Sequence, residues 1–239
     1  MRLPLRPAAL AALALFVAPL VHSTTGTDSA GAAVTAVAGS PTDYSFLATN
    51  QKDGSPARWN PCRAIHWRVN ATGAPVDGGQ HIEEALRRIS AATGLVFVRD
   101  GRTSILPDGK TFLGWGTTDL VIGYATAQQR PALGGTVVGD GGAQLRWHTD
   151  GRWQIGKGYV LLDRVDLAKK PRGFGTGNTQ GAVYLHELGH AVGLGHARAL
   201  PQVMYGRGSA SAVATWQRGD LAGLARLGRK AGCLTSSPA

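Results

Sequence analysis

His186-Glu187-Leu188-Gly189-His190-Ala191-Val192-Gly193-Leu194-Gly195-His196 reads H-E-x-x-H-x-x-G-x-x-H, and the rest of the chain is read outward from it. On a helix, His186 and His190 lie one turn apart and project from the same face, so two imidazole nitrogens can meet one metal ion. Glu187 sits beside the first ligand, where its carboxylate reaches a water on the metal and not the metal itself. Gly193 stands where the helix should end. Glycine accepts the left-handed conformation that turns the chain sharply, and that turn would return His196 as a third ligand. Three protein ligands leave a fourth tetrahedral position for water, the pattern of a catalytic zinc site and not of a closed structural one. From this chain's residue frequencies the five fixed positions should coincide by chance on the order of 10⁻⁵ times, which sets aside a buried helix with incidental histidines.

The motif resembles that of the metzincin clan of zinc endopeptidases. The clan carries a methionine in a tight turn beneath the zinc. Met204 lies eight residues after His196, in Pro201-Gln202-Val203-Met204-Tyr205-Gly206. A zinc-binding tyrosine two residues after the methionine, known in some members, is not supported, because position 206 is glycine. The adjacent Met-Tyr and the eight-residue spacing are similar to the matrixin branch, in a secreted, bacterial-type form. Asp220-Leu221-Ala222-Gly223-Leu224-Ala225-Arg226-Leu227-Gly228 resembles the matrixin C-terminal helix pattern D-x-x-G-[IL]-x-x-L. The resemblance spans roughly residues 60–230 and is strongest in its last third.

The resemblance implies an α/β zincin fold: a twisted, five-stranded, mostly parallel sheet with an antiparallel edge strand, three main helices, and zinc in the cleft. It implies one catalytic Zn²⁺ on His186, His190 and His196, Glu187 as general base, Gly193 as the turn and Met204 as packing beneath the histidines. Tyr205 would border the pocket next to the scissile bond. The short, glycine-flanked Gly134-Gly135-Thr136-Val137-Val138-Gly139 takes the place of the antiparallel edge strand, so that Thr136, Val137 and Val138 would line the cleft and offer free backbone groups to an extended peptide. Calcium is compatible with the family, but no ligand set for it is legible.

The 239 residues suffice for one domain with a good core and are too few for two sizeable ones. Residues 1–23 read as a signal peptide. Arg2 and Arg6 form the positive n-region, residues 8–21 are apolar, and Val21-His22-Ser23 offers a cleavage site, with Ala30-Gly31-Ala32 as a later one. The apolar run is short for a membrane anchor and is broken by Pro19. Residues 24–42, rich in Thr, Ser, Gly and Ala, are expected to be a disordered lead-in, and residues 43–235 the catalytic domain. No P-R-C-G-V-P-D latency motif is present. The two cysteines, Cys62 and Cys233, bracket nearly the whole domain; in an oxidising compartment they are expected to form a disulfide. The formal charge is +10, falling to +8 without Arg2 and Arg6. That surplus suits acidic partners or anionic wall polymers, but reads first as a solvated basic surface. No basic run interleaved with aromatics points to nucleic acid.

Along the chain, residues 65–70 alternate as a first strand. Asp77 is expected to cap a helix with Gln80 as capping-box partner, and Ile82, Ala85, Leu86 and Ile89 recur on its buried face. Glu83–Arg87 and Glu84–Arg88 are favourable i,i+4 pairs, His81 should be exposed, and Gly94 ends the helix. Residues 95–98, 120–124 and 159–163 read as further strands, with a turn at Thr149-Asp150-Gly151-Arg152 between Trp147 and Trp153. His66 reads as a structural strand histidine, and His148 lacks partner spacing for a second metal. Asn178 or Thr179 should cap the zinc helix, which should run to about Val192.

The expectation is a secreted, extracellular, monomeric zinc endopeptidase acting on protein or peptide, with no nucleic-acid partner and no membrane association after signal removal. Peptide bonds would be hydrolysed by a zinc-bound water with a glutamate general base. Two other readings share the same ligands: a secreted zinc-binding module without protease activity, and a zinc amidase acting on cell-wall peptide.

Overall fold

The elements run β1 (Ser45–Phe46), β2 (Ile65–Asn70), α1 (Gly78–Thr93), β3 (Phe97–Arg102), β4 (Leu120–Ala125), β5 (Gly139–Trp147), β6 (Trp153–Asp163), α2 (Arg164–Ala168), α3 (Gln180–Ala191), β7 (Leu194–Gly195) and α4 (Arg218–Leu227). They are seen in a computed structural model that describes residues 37–234. The expected signal peptide, the first part of the lead-in and residue 235 lie outside the described residues.

Five strands form one sheet in the order β3-β2-β4-β6-β5. Strand β2 is parallel to β3 and β4, β4 is parallel to β6, and β5 alone is antiparallel, paired with β6. With α1, α3 and α4 as the main helices, this is the architecture expected. Apolar alternation on β2, β4 and β6 presents Ile65, Trp67, Val69, Leu120, Ile122, Tyr124, Val160 and Leu162 to one face. Against them pack Ile82, Ala85, Leu86 and Ile89 of α1 and Val183, Tyr184, Leu185 and Leu188 of α3. Inside that core the Tyr124 and Tyr184 hydroxyls bond each other at 2.7 Å, which satisfies two otherwise buried polar groups. A smaller cluster of Ala125, Leu133 and Leu161 lies apart from it.

Several local expectations are corrected. The antiparallel edge strand is residues 139–147; Thr136, Val137 and Val138 are irregular backbone leading into it. Strand β3 begins at Phe97 and not at Leu95, whose side chain is drawn into the core. Strand β6 starts at Trp153, directly after the 149–152 turn, and so is longer than 159–163. Asp77 precedes α1 in a left-handed conformation, φ 65°, and its side chain makes no cap bond, so no capping box forms. Glu84 holds both Arg87 and Arg88, while Glu83 pairs with Arg99 of β3. His81 is buried against Phe174 and Tyr184.

Residues 37–42 were expected within the lead-in but are tied to α4: the Ala38 N–H donates to Gln217 Oε1 at 2.8 Å, and the Arg218 N–H donates to the Ala38 carbonyl at 3.0 Å. The next residues form β1, which pairs antiparallel with β7. The Cys62–Cys233 disulfide is formed, joining positions 171 apart in sequence. Among the described residues no helix is long and apolar enough to cross a membrane.

Candidate metal centre

Helix α3 starts where a side chain supplies a cap. Thr179 Oγ1 accepts from the Ala182 N–H at 3.2 Å, satisfying one of the free donors of the first turn. The helix ends at Val192, and Gly193 follows at φ 115°, donating to the His190 carbonyl. A Cβ at Gly193 would also meet Leu227, Ile155 and the Ala57 carbonyl at 3.1–3.2 Å, so both conformation and space demand glycine. The chain then turns through β7 and presents His196. Its loop is held from the N-terminal side: Ser45 Oγ donates to the His196 carbonyl at 2.8 Å, and the Asp43 carboxylate accepts from the Arg198 and Ala199 N–H groups at 2.8 and 3.1 Å.

The three Nε2 atoms stand 3.2–3.3 Å from one another. A tetrahedral ion with ligands at about 2.0–2.1 Å has edges of about 3.3–3.4 Å, so the spacing fits zinc without rearrangement. The opposite ring nitrogens explain the orientation. His186 Nδ1 bonds the Val203 carbonyl and His190 Nδ1 bonds the Leu194 carbonyl, each at 2.8 Å. A carbonyl only accepts, so each Nδ1 carries the proton and each Nε2 keeps its lone pair free. Burial, with the neighbouring histidines, pushes His186 down to about 3 and His190 to about 4, so both are neutral at pH 7. Among the described residues this is the one cluster of three or more potential metal ligands. His66 pairs with Asp100, His148 is buried beside Asp150, and His81 packs on aromatic rings; none joins the triad.

Met204 lies beneath the centre, 1% exposed. A Cβ at Gly189 would run into its sulfur, so the glycine between the two helical histidines is what admits the methionine. The turn is fixed by Asp220 of α4, whose carboxylate accepts from the Val203, Met204 and Gln217 N–H groups at 2.8, 3.1 and 2.9 Å. Asp220 was noticed only as part of a helix pattern. Its role in holding the methionine turn depends on a contact 16 residues away in sequence.

Glu187 is 7% exposed and accepts a hydrogen bond from the Gly141 N–H. Desolvation, and then the negative charge of Asp140, push its carboxyl up to about 8. Strand β5 can lie this close to α3 because two of its first three residues are glycines. A Cβ at Gly139 would stand 2.5–2.8 Å from the Glu187 side chain, and one at Gly141 would collide with the Glu187 carbonyl. Asp140 was not singled out from sequence; it accepts from the Tyr159 hydroxyl at 3.2 Å, and burial raises its own carboxyl. The signal available was Gly139-Asp140-Gly141-Gly142 itself, which reads as a turn.

The histidines, Glu187 and the start of β5 open on a cleft of about 920 Å³. The cleft is lined by His186, Glu187, His190 and His196 and also by Thr136, Val137, Val138 and Tyr205, so the expected cleft residues gather there although three of them lie outside the edge strand. Gly193 and Met204 lie behind the histidines, and the disulfide is not part of the lining.

No curated protein sequence matches the chain significantly. A family model does: the one described as matrixin, a peptidase family, matches residues 58–227, from just before β2 to the end of α4. Sheet order, helix placement and the histidine cluster agree with that match, and the chain belongs to the matrixins, a family of zinc-dependent metallopeptidases.

Proposed function

We propose that this protein is a secreted zinc endopeptidase whose metal is held by His186, His190 and His196 and whose general base is Glu187. The observation that carries the reading is the mutual 3.2–3.3 Å spacing of three Nε2 lone pairs beside a buried carboxyl in an open cleft. Bound zinc would supply Lewis-acid activation of water and of the scissile carbonyl. The remaining work falls to the chain. Glu187 takes a proton from the attacking water and returns it to the leaving amine, a task suited to a carboxyl held in the cleft one residue after the first ligand. Strand β5 is an edge of the sheet beside the cleft and, apart from the Gly141 N–H held by Glu187, offers backbone groups to which an extended peptide can add as it passes the histidines. Gly193 and Met204 hold ligand geometry, and Tyr205 borders the cleft. Residues 1–23 direct export, the catalytic unit is residues 43–235, and the mature protein acts extracellularly as a monomer. The disulfide supports the oxidising compartment.

The test is metal content and hydrolysis measured together. Purified mature protein should carry about one zinc per chain and cut a quenched peptide, and chelation should abolish cutting until zinc is restored. Full zinc content after replacement of all three histidines would overturn the ligand assignment. Zinc without hydrolysis would favour the binding-module reading.

A further inference from the structure

A second pocket, about 350 Å³, is lined by Asn50, Arg58, Arg152, Gln154, Arg226 and Lys230 among others, and no acidic residue lines it. Four cationic side chains therefore share one concavity. Two of its nitrogens lack partners. Gln154 is 3% exposed, and its Nε2 is buried with no acceptor. Arg58 donates through Nη2 to the Ala231 carbonyl at 3.0 Å, but its Nη1 is likewise buried and unpartnered. Burial and the nearby Arg152 both push against the Arg58 charge. Covered N–H groups without acceptors, one of them charged, destabilise a fold unless something supplies the missing acceptor. Arg152 is paired with Asp53 at 2.9 Å, yet its charge still disfavours that of Arg58. Each of these features is relieved by the same kind of guest, a small acceptor-only anion.

We propose that this pocket binds a compact oxyanion, a phosphate, sulfate or carboxylate group, between Arg58, Arg152, Arg226, Lys230 and the Gln154 amide. The site is independent of the peptidase reading. It is also next to the main cleft: the Arg226 guanidinium stacks on Phe46 at 5.1 Å, and Phe46 lines the metal-site cleft. The oxyanion can thus arrive free in solution or as an acidic side chain of a polypeptide lying past Phe46.

The test uses the mature zinc-loaded protein, titrated with inorganic phosphate at constant ionic strength balanced by chloride. Phosphate should bind with millimolar or tighter affinity and raise Tm, because a ligand that binds only the folded state stabilises it by mass action. Gln154→Glu places a carboxylate at the pocket wall with almost no change of shape. It should raise Tm in phosphate-free buffer and remove the response to phosphate. Arg152→Gln combined with Lys230→Gln, both exposed side chains, should weaken phosphate binding about tenfold or more and leave hydrolysis of an uncharged peptide unchanged. A peptide pair with and without a glutamate flanking the cut site separates the sources: a lower KM for the acidic peptide, lost in the double variant, identifies the substrate carboxylate, and equal KM values identify the free anion. Identical Tm responses to phosphate and chloride, or a Gln154→Glu protein that responds as the parent does, would overturn the site. Absence of hydrolysis would count against the peptidase reading and leave the phosphate titration as it stands.

Discussion

Glu187 follows a ligand histidine without being needed to complete the ligand set, and its surroundings give it a different task. Glu187→Ala should lower kcat by roughly 10²–10⁴-fold, the range for a general base, with zinc content unchanged, since alanine keeps the helix. The check is kcat/KM and zinc measured in the same samples; a variant within threefold of the parent would mean another group moves the proton. A second expectation concerns pH. An acid whose folded pKa stands above its unfolded value binds more protons when folded, so its contribution is present at low pH and is lost as pH rises through the folded pKa. For Glu187 the window runs from 4.5 to about 8. Unfolded His186 and His190 are half protonated at pH 6.5 and mostly neutral only above about pH 7, where both are neutral in the folded protein. Chelator-treated protein should therefore lose Tm between about pH 7 and 8, and Glu187→Gln should flatten that stretch; parallel curves for the two proteins would refute it. The ligands and the base were legible because helical spacing and one glycine turn fix all of them within eleven residues. Asp140 was not, because its relation to Glu187 exists only once β5 is laid along α3.

Helix α3 and strand β5 together form the wall of the centre, and the two were unequally readable. The helix announces itself through Thr179, the spaced histidines and Gly193. Thr179→Ala should destabilise by about 1 kcal/mol, seen as a fall of roughly 2–4 °C in Tm for a domain of this size, with zinc still bound. The strand hides itself. Its opening residues Gly139, Gly141 and Gly142 carry no apolar alternation, so the sequence points to an edge strand one segment early, on Gly134–Gly139. Gly139 and Gly141 are there because α3 leaves no room for a Cβ, and Gly142 because the Tyr159 ring of β6 leaves none. Gly141→Ala should consequently separate β5 from α3 and cut kcat/KM at least tenfold, whereas Gly135→Ala, where nothing lies within 4 Å of the added Cβ, should leave the cleft intact at the price of backbone strain alone. Comparable activity losses in the two variants would show that close packing is not the reason for the glycine run.

Across the whole molecule, the disulfide closes a loop of 171 positions. The chain-entropy relation assigns such a loop about 5 kcal/mol, so the Cys62→Ser, Cys233→Ser protein should melt on the order of 10 °C lower; a change under about 2 °C by calorimetry would put the stabilisation elsewhere. The pairing was readable from the count of two cysteines together with the expectation of export. The path of residues 37–46 was not, because short stretches of small residues carry no periodicity, and their order comes from partners far along the chain. Those partners give the segment a consequence. Ala38 holds α4, Asp43 holds the Arg198 and Ala199 amides, and Ser45 holds the His196 carbonyl. Any trimming of the N-terminus therefore has a boundary. A convertase that cuts upstream of Ala38 leaves every brace in place. One that cuts after Ser45 yields a protein with all three histidines and Glu187 present and the loop bearing its third imidazole unbraced, so trimming eight residues too many acts as an off-switch that removes no catalytic side chain.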